Sequence, residues 1–211
     1  MTFKALAMAI FATACLFSAT AKAGAETISL VGFGDSLMAG YELPPEAAFP
    51  ARLEKLLKEK GHDVAIANAG VSGDTTADGL ARIDWSIPDG TKGVILELGA
   101  NDALRGLSPE ESLANLDQMI TRLKERKIAV LLVGILAPPN MGGDYEQQFN
   151  PLYKALAEKH GLLFYPFFLD GVATKADLLL KDGMHPNDEG TEVMAKKFLP
   201  VAETFLQKLG S

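Results

Sequence analysis

Five continuous apolar runs, separated by segments with helical periodicity, restrict the fold of this chain more than any other feature. They do not alternate with polar residues, a pattern typical of strands that are buried on both faces of a sheet. The runs are Thr27–Phe33, Asp63–Ala67, Gly93–Leu98, Ile128–Ile135 and Leu162–Tyr165. Strands that alternate with helices form parallel sheets with helices on both faces. The pattern therefore predicts an α/β fold, a three-layer α/β/α sandwich around a five-stranded parallel sheet.

The segments between these runs carry helix signals. Ala47–Lys60 places its apolar side chains on one face and is followed by Gly61, a residue that commonly ends a helix. A capping motif opens another helix after Ser108, with proline in the first helical position. Further helices are predicted at Tyr145–His160 and Asn187–Leu209.

Residues 1–23 have the three-part layout of a secretory signal peptide. A single early lysine precedes the uncharged apolar run Ala5–Phe17, and a small-x-small cleavage site follows at Ala21–Ala23. The apolar run is too short to cross a membrane as a permanent helix. We therefore predict cleavage after Ala23, with Ala25 as the alternative, and a periplasmic or secreted protein without stable membrane insertion.

The composition of the remaining chain, residues 24–211, excludes several classes of function. The only cysteine, Cys15, lies in the predicted signal, so the mature protein has neither a disulfide nor a catalytic thiol. Loss of the signal removes two lysines and no acidic residue, which changes the formal charge from −7 to −9. Such an acidic surface argues against nucleic acid as a partner. The length fits a single domain, and we expect a monomer, although the sequence leaves the oligomeric state open.

Residues suited to chemistry follow the first three predicted strands. Gly34-Asp35-Ser36 comes directly after the first strand, a glycine-rich segment containing Gly73 after the second, and Asn101-Asp102 after the third. The carboxyl ends of parallel strands meet at one edge of the sheet, where ligands bind in this architecture. The sequence therefore predicts a functional site at this edge.

A catalytic triad in the order Ser, Asp, His is the arrangement that these residues favour. Ser36 follows a buried strand and begins a helical turn, a position suited to a nucleophile. His185 is the credible base, because His62 and His160 lie at a strand start and a helix end, where exposed or capping roles are usual. Asp182, three residues before His185, can accept the proton on the far imidazole nitrogen and orient the ring.

A serine hydrolase also needs donors that bind the oxyanion formed during attack. The candidates are the backbone N–H groups of Ser36 and Gly73 and the side-chain amide of Asn101. Glycine lets the backbone come close to the reacting carbon, and the asparagine amide donates without adding charge. These three groups predict an oxyanion hole beside Ser36.

Four blocks of the sequence resemble those of the GDSL, or SGNH, hydrolases. The blocks are GDSLMAGY, NAGVSGDTT, ELGANDALRG and DGMHPNDEG, and they occur in the family's order between Gly34 and Gly190. The residues that match the family's Ser, Gly, Asn, His and acidic residue are Ser36, Gly73, Asn101, His185 and Asp182. Four ordered blocks are a specific signal, whereas one alone would be weak.

The blocks are especially similar to a branch of bacterial periplasmic esterases described as arylesterases, acyl-CoA thioesterases and lysophospholipases. This resemblance implies a flavodoxin-like fold and a serine esterase that uses no metal and no cofactor. It implies a small ester or a lysophospholipid as substrate, with the natural substrate and acyl length left open. It also implies that Ala103–Leu107 is a mobile segment beside an acyl groove and that Leu136–Asp144 forms another wall of that groove.

Three other interpretations fit parts of the sequence. A carbohydrate O-acetylesterase of the same family would use the same triad, and no sequence feature separates it from a lysophospholipase-like esterase. Asp35, Asp102 and Asp182 would gather acids as in a Mg²⁺-dependent phosphatase, although such a site would have little use for Ser36. A non-catalytic, flavodoxin-like binding module would need GFGDSL as its phosphate loop, which lacks the glycine and lysine positions of known phosphate loops.

Overall fold

The computed structural model describes residues 27–210 and has a five-stranded parallel sheet at its centre. The strands are β1 (Ile28–Gly34), β2 (Val64–Gly70), β3 (Gly93–Glu97), β4 (Ala129–Val133) and β5 (Leu163–Tyr165). All five predicted strands are therefore present, with ends displaced by at most three residues. The predicted signal peptide, residues 1–23, lies outside the described residues.

The strand order places β1 between β2 and β3. The sheet runs β2-β1-β3-β4-β5, and every neighbouring pair is parallel. This is the flavodoxin-like order, in which ligands bind where the order reverses, between β1 and β3. The predicted α/β fold is confirmed, and the carboxyl ends of β1, β2 and β3 lie side by side.

Helices cover both faces of the sheet within residues 27–210. They are α1 (Ser36–Ala39), α2 (Phe49–Glu59), α3 (Thr76–Ser86), α4 (Ala100–Leu104), α5 (Pro109–Glu125), α6 (Gly143–Phe149), α7 (Leu152–His160) and α8 (Asp188–Leu209). Helices α2 and α8 pack against each other on one face, and α5 packs against α3 and α7 on the other. No helix in this part of the chain is long and apolar enough to cross a membrane.

A cluster of aromatic rings shows how the helical layer is fixed on the α2/α8 face. Phe49, at the start of α2, meets Phe168 edge-on at 4.7 Å and Phe198 of α8 at 5.2 Å between ring centroids. All three side chains are fully buried. Edge-to-face pairs of this kind add to the free energy gained by burying apolar area, so the rings hold α8 against α2 and the segment after β5.

The structure corrects the prediction that every strand is buried on both faces. In β2 the side chains of Val64 and Ile66 are buried, whereas Ala65 and Ala67 are exposed. β2 lies at the edge of the sheet, and its continuous apolar sequence reflects small alanines on the open face. The apolar run therefore predicted the strand correctly but not its position in the sheet.

The helix predictions need two corrections. The segment Tyr145–His160 forms two helices, α6 and α7, because Pro151 has no N–H to continue the hydrogen-bond ladder. Helix α3 was not predicted at all, although Thr75 and Asp78 form a reciprocal capping box at its start. Its internal Gly79 weakened the helical pattern, but an added Cβ there would collide with the side chain of Leu98. Gly79 therefore allows α3 to lie close against the end of β3.

Candidate active site

The turn between β1 and α1 presents Ser36 at the carboxyl edge of the sheet. Asp35 caps α1, its carboxylate accepting a hydrogen bond from the Leu37 N–H at 3.0 Å. Gly34 makes the turn possible, because an added Cβ would lie 2.6 Å from the Glu97 carbonyl oxygen and 2.7 Å from the Cβ of Met38. The Ser36 side chain thus begins a short helix immediately after a buried strand.

Ser36, His185 and Asp182 form one continuous chain of hydrogen bonds. The Ser36 Oγ lies 2.8 Å from the His185 Nε2, and the His185 Nδ1 lies 2.6 Å from the Asp182 Oδ2. Two histidines lie elsewhere, since His62 contacts Glu203 and His160 contacts Asp117. The three residues predicted as a triad are therefore brought together in the geometry that general-base activation of a serine requires.

Asp182 is held in its ionised form by donors on its own turn. Partial burial acts to raise its pKa, but the Met184 N–H, the His185 ring and the His185 N–H outweigh that effect and lower the pKa to about 2. The two backbone bonds, at 2.9 and 3.1 Å, reach the Oδ1, which leaves the Oδ2 for the ring. The carboxylate is thus charged throughout the pH range in which an esterase works.

A small hairpin positions His185. Leu179 and Pro186 form an isolated antiparallel bridge, and the Leu180 N–H donates to the His185 carbonyl oxygen at 2.7 Å. Gly183 turns the chain between them with a positive φ of 70°. All of these bonds join residues within the segment 179–186, so the base and its acid are supplied by local structure.

The predicted oxyanion donors lie on the turn that carries Ser36 and on the segments that follow β2 and β3. Gly73 lies in the loop after β2 with a φ of 90°, and within residues 27–210 neither its N–H nor the Ser36 N–H has a protein acceptor. The Asn101 amide donates to the Asp74 carbonyl oxygen at 2.9 Å and to the Asp35 carboxylate at 3.3 Å. Asn101 must therefore exchange the longer of these bonds to bind an oxyanion.

Arg82 joins the segments on which these donors lie, a role that the sequence did not predict. Its guanidinium donates to the Asp74 carboxylate and to the carbonyl oxygens of Ala69 and Gly34, and it lies 4.0 Å above the Phe33 ring. Arg82 is 7% exposed. One buried cation thus fixes the ends of β1 and β2 and the loop that contains Gly73.

A pair of buried carboxyl groups lies behind the nucleophile. Burial raises the pKa of Asp35 to about 6, despite the Leu37 N–H and nearby His185, which lower it. Burial, together with the charge of Asp35, raises the pKa of Glu97 well above its ordinary value. One Glu97 oxygen accepts the Asp35 N–H at 3.3 Å, and the other has no hydrogen-bond partner among residues 27–210. The raised pKa favours the protonated form of Glu97, whose carboxyl group supports the turn before Ser36.

The three aspartates considered for a magnesium site each contact different protein donors. Asp35 accepts from Leu37 and Asn101, and Asp182 from its own hairpin. Asp102 accepts from the Thr76 N–H and hydroxyl and from Ser112, which fixes the start of α3. Among residues 27–210, no group of three or more His, Cys, Asp or Glu side chains is arranged to hold a metal ion.

An apolar rim surrounds the site. Of the seven large apolar side chains that are exposed in residues 27–210, only Trp85 lies away from the carboxyl ends of the strands. The other six, which we call the apolar rim, are Tyr41, Val71, Leu104, Leu107, Leu136 and Met184. Exposed apolar groups concentrated around a polar site are typical of a surface that binds an apolar ligand.

Comparisons with known proteins agree with this arrangement. Residues 33–193 match the GDSL-like lipase/acylhydrolase family. An arylesterase from Vibrio mimicus is 40% identical over 182 residues, which cover 86% of this chain and 91% of that protein. The thioesterase 1/protease 1/lysophospholipase L1 of Escherichia coli K12 is 35% identical over 184 residues, covering 85% of this chain and 86% of that protein.

Solved structures agree with the sequence comparisons. The crystal structure of AlinE4, an esterase of the SGNH-hydrolase family, is 45% identical and has a TM-score of 0.72, covering 86% of this chain and 97% of its own. A crystal structure of TesA has a TM-score of 0.78 at 35% identity, covering 82% of this chain and 97% of that chain. The matched family region spans the whole site, from Ser36 to His185.

Proposed function

Because the chain belongs to the GDSL-like lipase/acylhydrolase family and is an ester-hydrolysing enzyme, we propose that it cleaves carboxylic esters or thioesters through an acyl-enzyme on Ser36. The observation that carries this assignment is the hydrogen-bond chain from the Ser36 Oγ through His185 to Asp182, with distances of 2.8 and 2.6 Å. A serine is a weak nucleophile until a base takes its proton, and this chain provides that base.

The first half of the reaction forms the acyl-enzyme. The Ser36 Oγ attacks the carbonyl carbon while the His185 Nε2 takes the hydroxyl proton, and Asp182 stabilises the resulting imidazolium. The tetrahedral intermediate collapses when its bond to the leaving group breaks. His185 gives its proton to the departing alcohol or thiol, and the acyl group remains on Ser36.

The second half releases the acid. A water molecule gives a proton to His185 as its oxygen attacks the acyl carbon, and the bond to Ser36 then breaks. His185 returns the proton to the Ser36 Oγ, which restores the free enzyme. The oxyanion in both halves is assigned to the N–H groups of Ser36 and Gly73 and to the Asn101 amide, which leaves Asp35 for this purpose.

The apolar rim supports an apolar group on the substrate. Its six side chains lie on segments that follow all five strands, so an acyl chain or an aromatic ring attached to the carbonyl carbon meets apolar surface in several directions. Aryl esters and lysophospholipids, the substrates implied by the names of the two relatives, both carry such a group. We assign both classes to this enzyme as candidate substrates.

The cellular location follows from the N-terminal sequence. Residues 1–23 are assigned as a secretory signal and residues 24–211 as one hydrolase domain, which makes the enzyme periplasmic or secreted. Acyl-CoA would then be absent from its surroundings, so a lipid or aryl ester is the better physiological candidate than a CoA thioester.

Hydrolysis of p-nitrophenyl esters from acetyl to palmitoyl tests the assignment. The mature protein is compared with Ser36→Ala and with Ser72→Ala, a matched control on an exposed serine of the neighbouring loop. We expect Ser36→Ala to lose roughly 10³-fold or more in kcat and Ser72→Ala to keep wild-type activity. A preference for medium or long acyl chains supports the lipid or aryl ester, whereas activity confined to acetyl indicates a carbohydrate O-acetylesterase. Equal rates for wild type and Ser36→Ala would reject the mechanism.

A further inference from the structure

Tyr41, the last residue of the first sequence block, lies against the imidazole ring of His185. The two ring centroids are 4.4 Å apart, and the ring planes are inclined by 34°. The Tyr41 residue is 39% exposed, while the His185 side chain is 19% exposed. The tyrosine therefore covers one face of the imidazole without being part of the core.

The backbone of Ser36 fixes the position of Tyr41. The N–H groups of Gly40 and Tyr41 both donate to the Ser36 carbonyl oxygen, at 3.2 and 3.1 Å. Gly40 has a φ of 79°, and a Cβ added there would lie 2.6 Å from the Cβ of Ala48, so the turn has little freedom. Glu42 then takes a left-handed φ of 58°, an unusual conformation for a residue with a side chain. Two left-handed residues thus flank Tyr41 and direct its ring towards His185.

This contact joins two members of the triad through one residue. Tyr41 is hydrogen-bonded to Ser36 through its backbone, and its ring packs at a tilt against His185. The face of an aromatic ring is electron-rich and attracts a cation, and His185 becomes a cation when it takes the Ser36 proton. The nearby charge of Glu42 raises the pKa of the Tyr41 phenol, so the ring itself stays neutral.

We propose that Tyr41 is a positioning residue for the reaction assigned above: its ring holds the His185 imidazole between Ser36 and Asp182 and stabilises the imidazolium that forms during attack. The proposal rests on the proposed function, because it assigns Tyr41 a role in that proton transfer. The alternative is that Tyr41, as a member of the apolar rim, only contacts the substrate. The two roles affect different kinetic constants, because holding the base changes the chemical step whereas substrate contact changes binding.

Substitutions that keep or remove the aromatic face separate these roles. Tyr41→Phe keeps the ring without the hydroxyl, and Tyr41→Leu and Tyr41→Met remove the ring but keep an apolar side chain. Trp85→Leu is the matched control, since it removes an exposed aromatic ring that does not touch His185. For each variant, kcat and KM are measured on acetyl and octanoyl p-nitrophenyl esters, and the rate of Ser36 phosphonylation is measured with a small organophosphonate.

We expect Tyr41→Leu and Tyr41→Met to lower kcat and the phosphonylation rate by roughly five- to tenfold, the size expected for a lost cation–π contact and looser orientation. The loss is equal for both esters, KM stays within twofold, and Tyr41→Phe and Trp85→Leu retain at least half of the wild-type rate. The proton NMR signal of the His185–Asp182 hydrogen bond broadens in the Leu and Met variants only, because the ring is no longer held.

Three results would overturn the proposal. A change confined to KM, or one that differs between the two esters, would make Tyr41 a substrate contact. A loss in Tyr41→Phe as large as in Tyr41→Leu would assign the effect to the hydroxyl. An unchanged phosphonylation rate in both non-aromatic variants would show that His185 does not need the ring. Because wild type and Ser36→Ala are measured in parallel, an inactive wild type would count against the proposed function and not against Tyr41.

Discussion

The two sides of the active site are built in different ways. The side that carries the nucleophile is buried and joined by bonds between residues far apart in the sequence: Glu97 accepts from Asp35, 62 residues earlier, and Arg82 donates to Gly34, 48 residues earlier. The side that carries the base is a partly exposed hairpin, in which Asp182 and His185 are three residues apart. The nucleophile thus depends on the whole fold, whereas the base depends on one short segment.

Because the two sides are built differently, substitutions can affect activity and stability separately. A substitution in the hairpin 179–186 changes the proton transfer while leaving the sheet and its helices unchanged. A substitution behind Ser36 disturbs groups that also hold β1 and β2 together, such as the Arg82 guanidinium. On the hairpin side we therefore expect large losses of activity with little loss of stability. Behind the nucleophile we expect stability and activity to fall together.

The largest expected effect is on the hairpin side, in Asp182→Asn. The asparagine oxygen can still accept from the Met184 and His185 N–H groups, so the turn is kept. Its amide then donates to the His185 Nδ1, which places the ring proton on the Nε2, where it cannot take the Ser36 proton. We expect kcat to fall roughly 10³- to 10⁴-fold, with the thermal midpoint lowered by only a few °C, because the lost carboxylate charge is held by contacts within the hairpin. A large drop in the midpoint would contradict the local character of this segment.

The next effect is on the nucleophile side, in Gly34→Ala. The added methyl group lies 2.6 Å from the Glu97 carbonyl oxygen and 2.7 Å from the Met38 Cβ, so the strand must move. We expect a loss of about 1–3 kcal/mol in the free energy of unfolding, measured by urea denaturation, and a lower activity of the folded protein.

Gly183→Ala provides the matched control for this prediction in the hairpin. Gly183 has a left-handed φ of 70°, but an added Cβ would have no neighbour within 4 Å in the part of the chain that the structure describes. Only the backbone conformation is strained there, which costs about 1 kcal/mol. If Gly183→Ala destabilised the protein as much as Gly34→Ala, the contrast between the two sides would be wrong.

The sequence predicted those parts of the molecule that depend on local pattern. All five strands were confirmed because an apolar run is a local signal of a strand, even for β2, whose second face is open, and the family was confirmed because its four blocks are local. The roles of Ser36, His185 and Asp182 stay predictions, although the structure joins them in one hydrogen-bond chain.

The features that the sequence did not predict depend on contacts between distant segments. The charged Glu97 in an apolar strand was visible, but its partner Asp35 could be identified only from the packing of β1 beside β3. In the same way, nothing near Arg82 indicates that it joins Ala69 to Gly34. The edge position of β2 was missed because pairing order is a property of the sheet and not of the strand.

The last expected effect concerns the charge of Glu97 and the pH dependence of stability. Burial and the neighbouring Asp35 raise the pKa of Glu97 well above its ordinary value. At any pH between its ordinary pKa and its raised pKa, the folded protein therefore keeps a proton that the unfolded chain releases. Stability must then fall as pH rises, by at most about 1.4 kcal/mol per pH unit. Glu97→Gln keeps an oxygen for the Asp35 N–H and has no charge to lose. We expect it to match wild type near pH 4.5 and to become more stable than wild type as pH rises to 8, as measured by urea denaturation.

Glu54→Gln tests the sign of this effect at a position outside the active site. Glu54 is also partly buried, which acts to raise its pKa, but the bonds from Lys58 and the Ile66 N–H prevail and lower it. A carboxylate whose pKa is lowered on folding stabilises the folded protein at pH above its ordinary pKa, and this stabilisation is lost as pH falls. Glu54→Gln should therefore be less stable than wild type at neutral pH and approach wild type in acid. Opposite slopes for the two glutamine variants would establish that Glu97 is neutral behind the nucleophile. Parallel slopes would mean that Glu97 is ionised in the fold, and the buried support of Ser36 would then have to be an ion pair or bound water instead of a neutral acid.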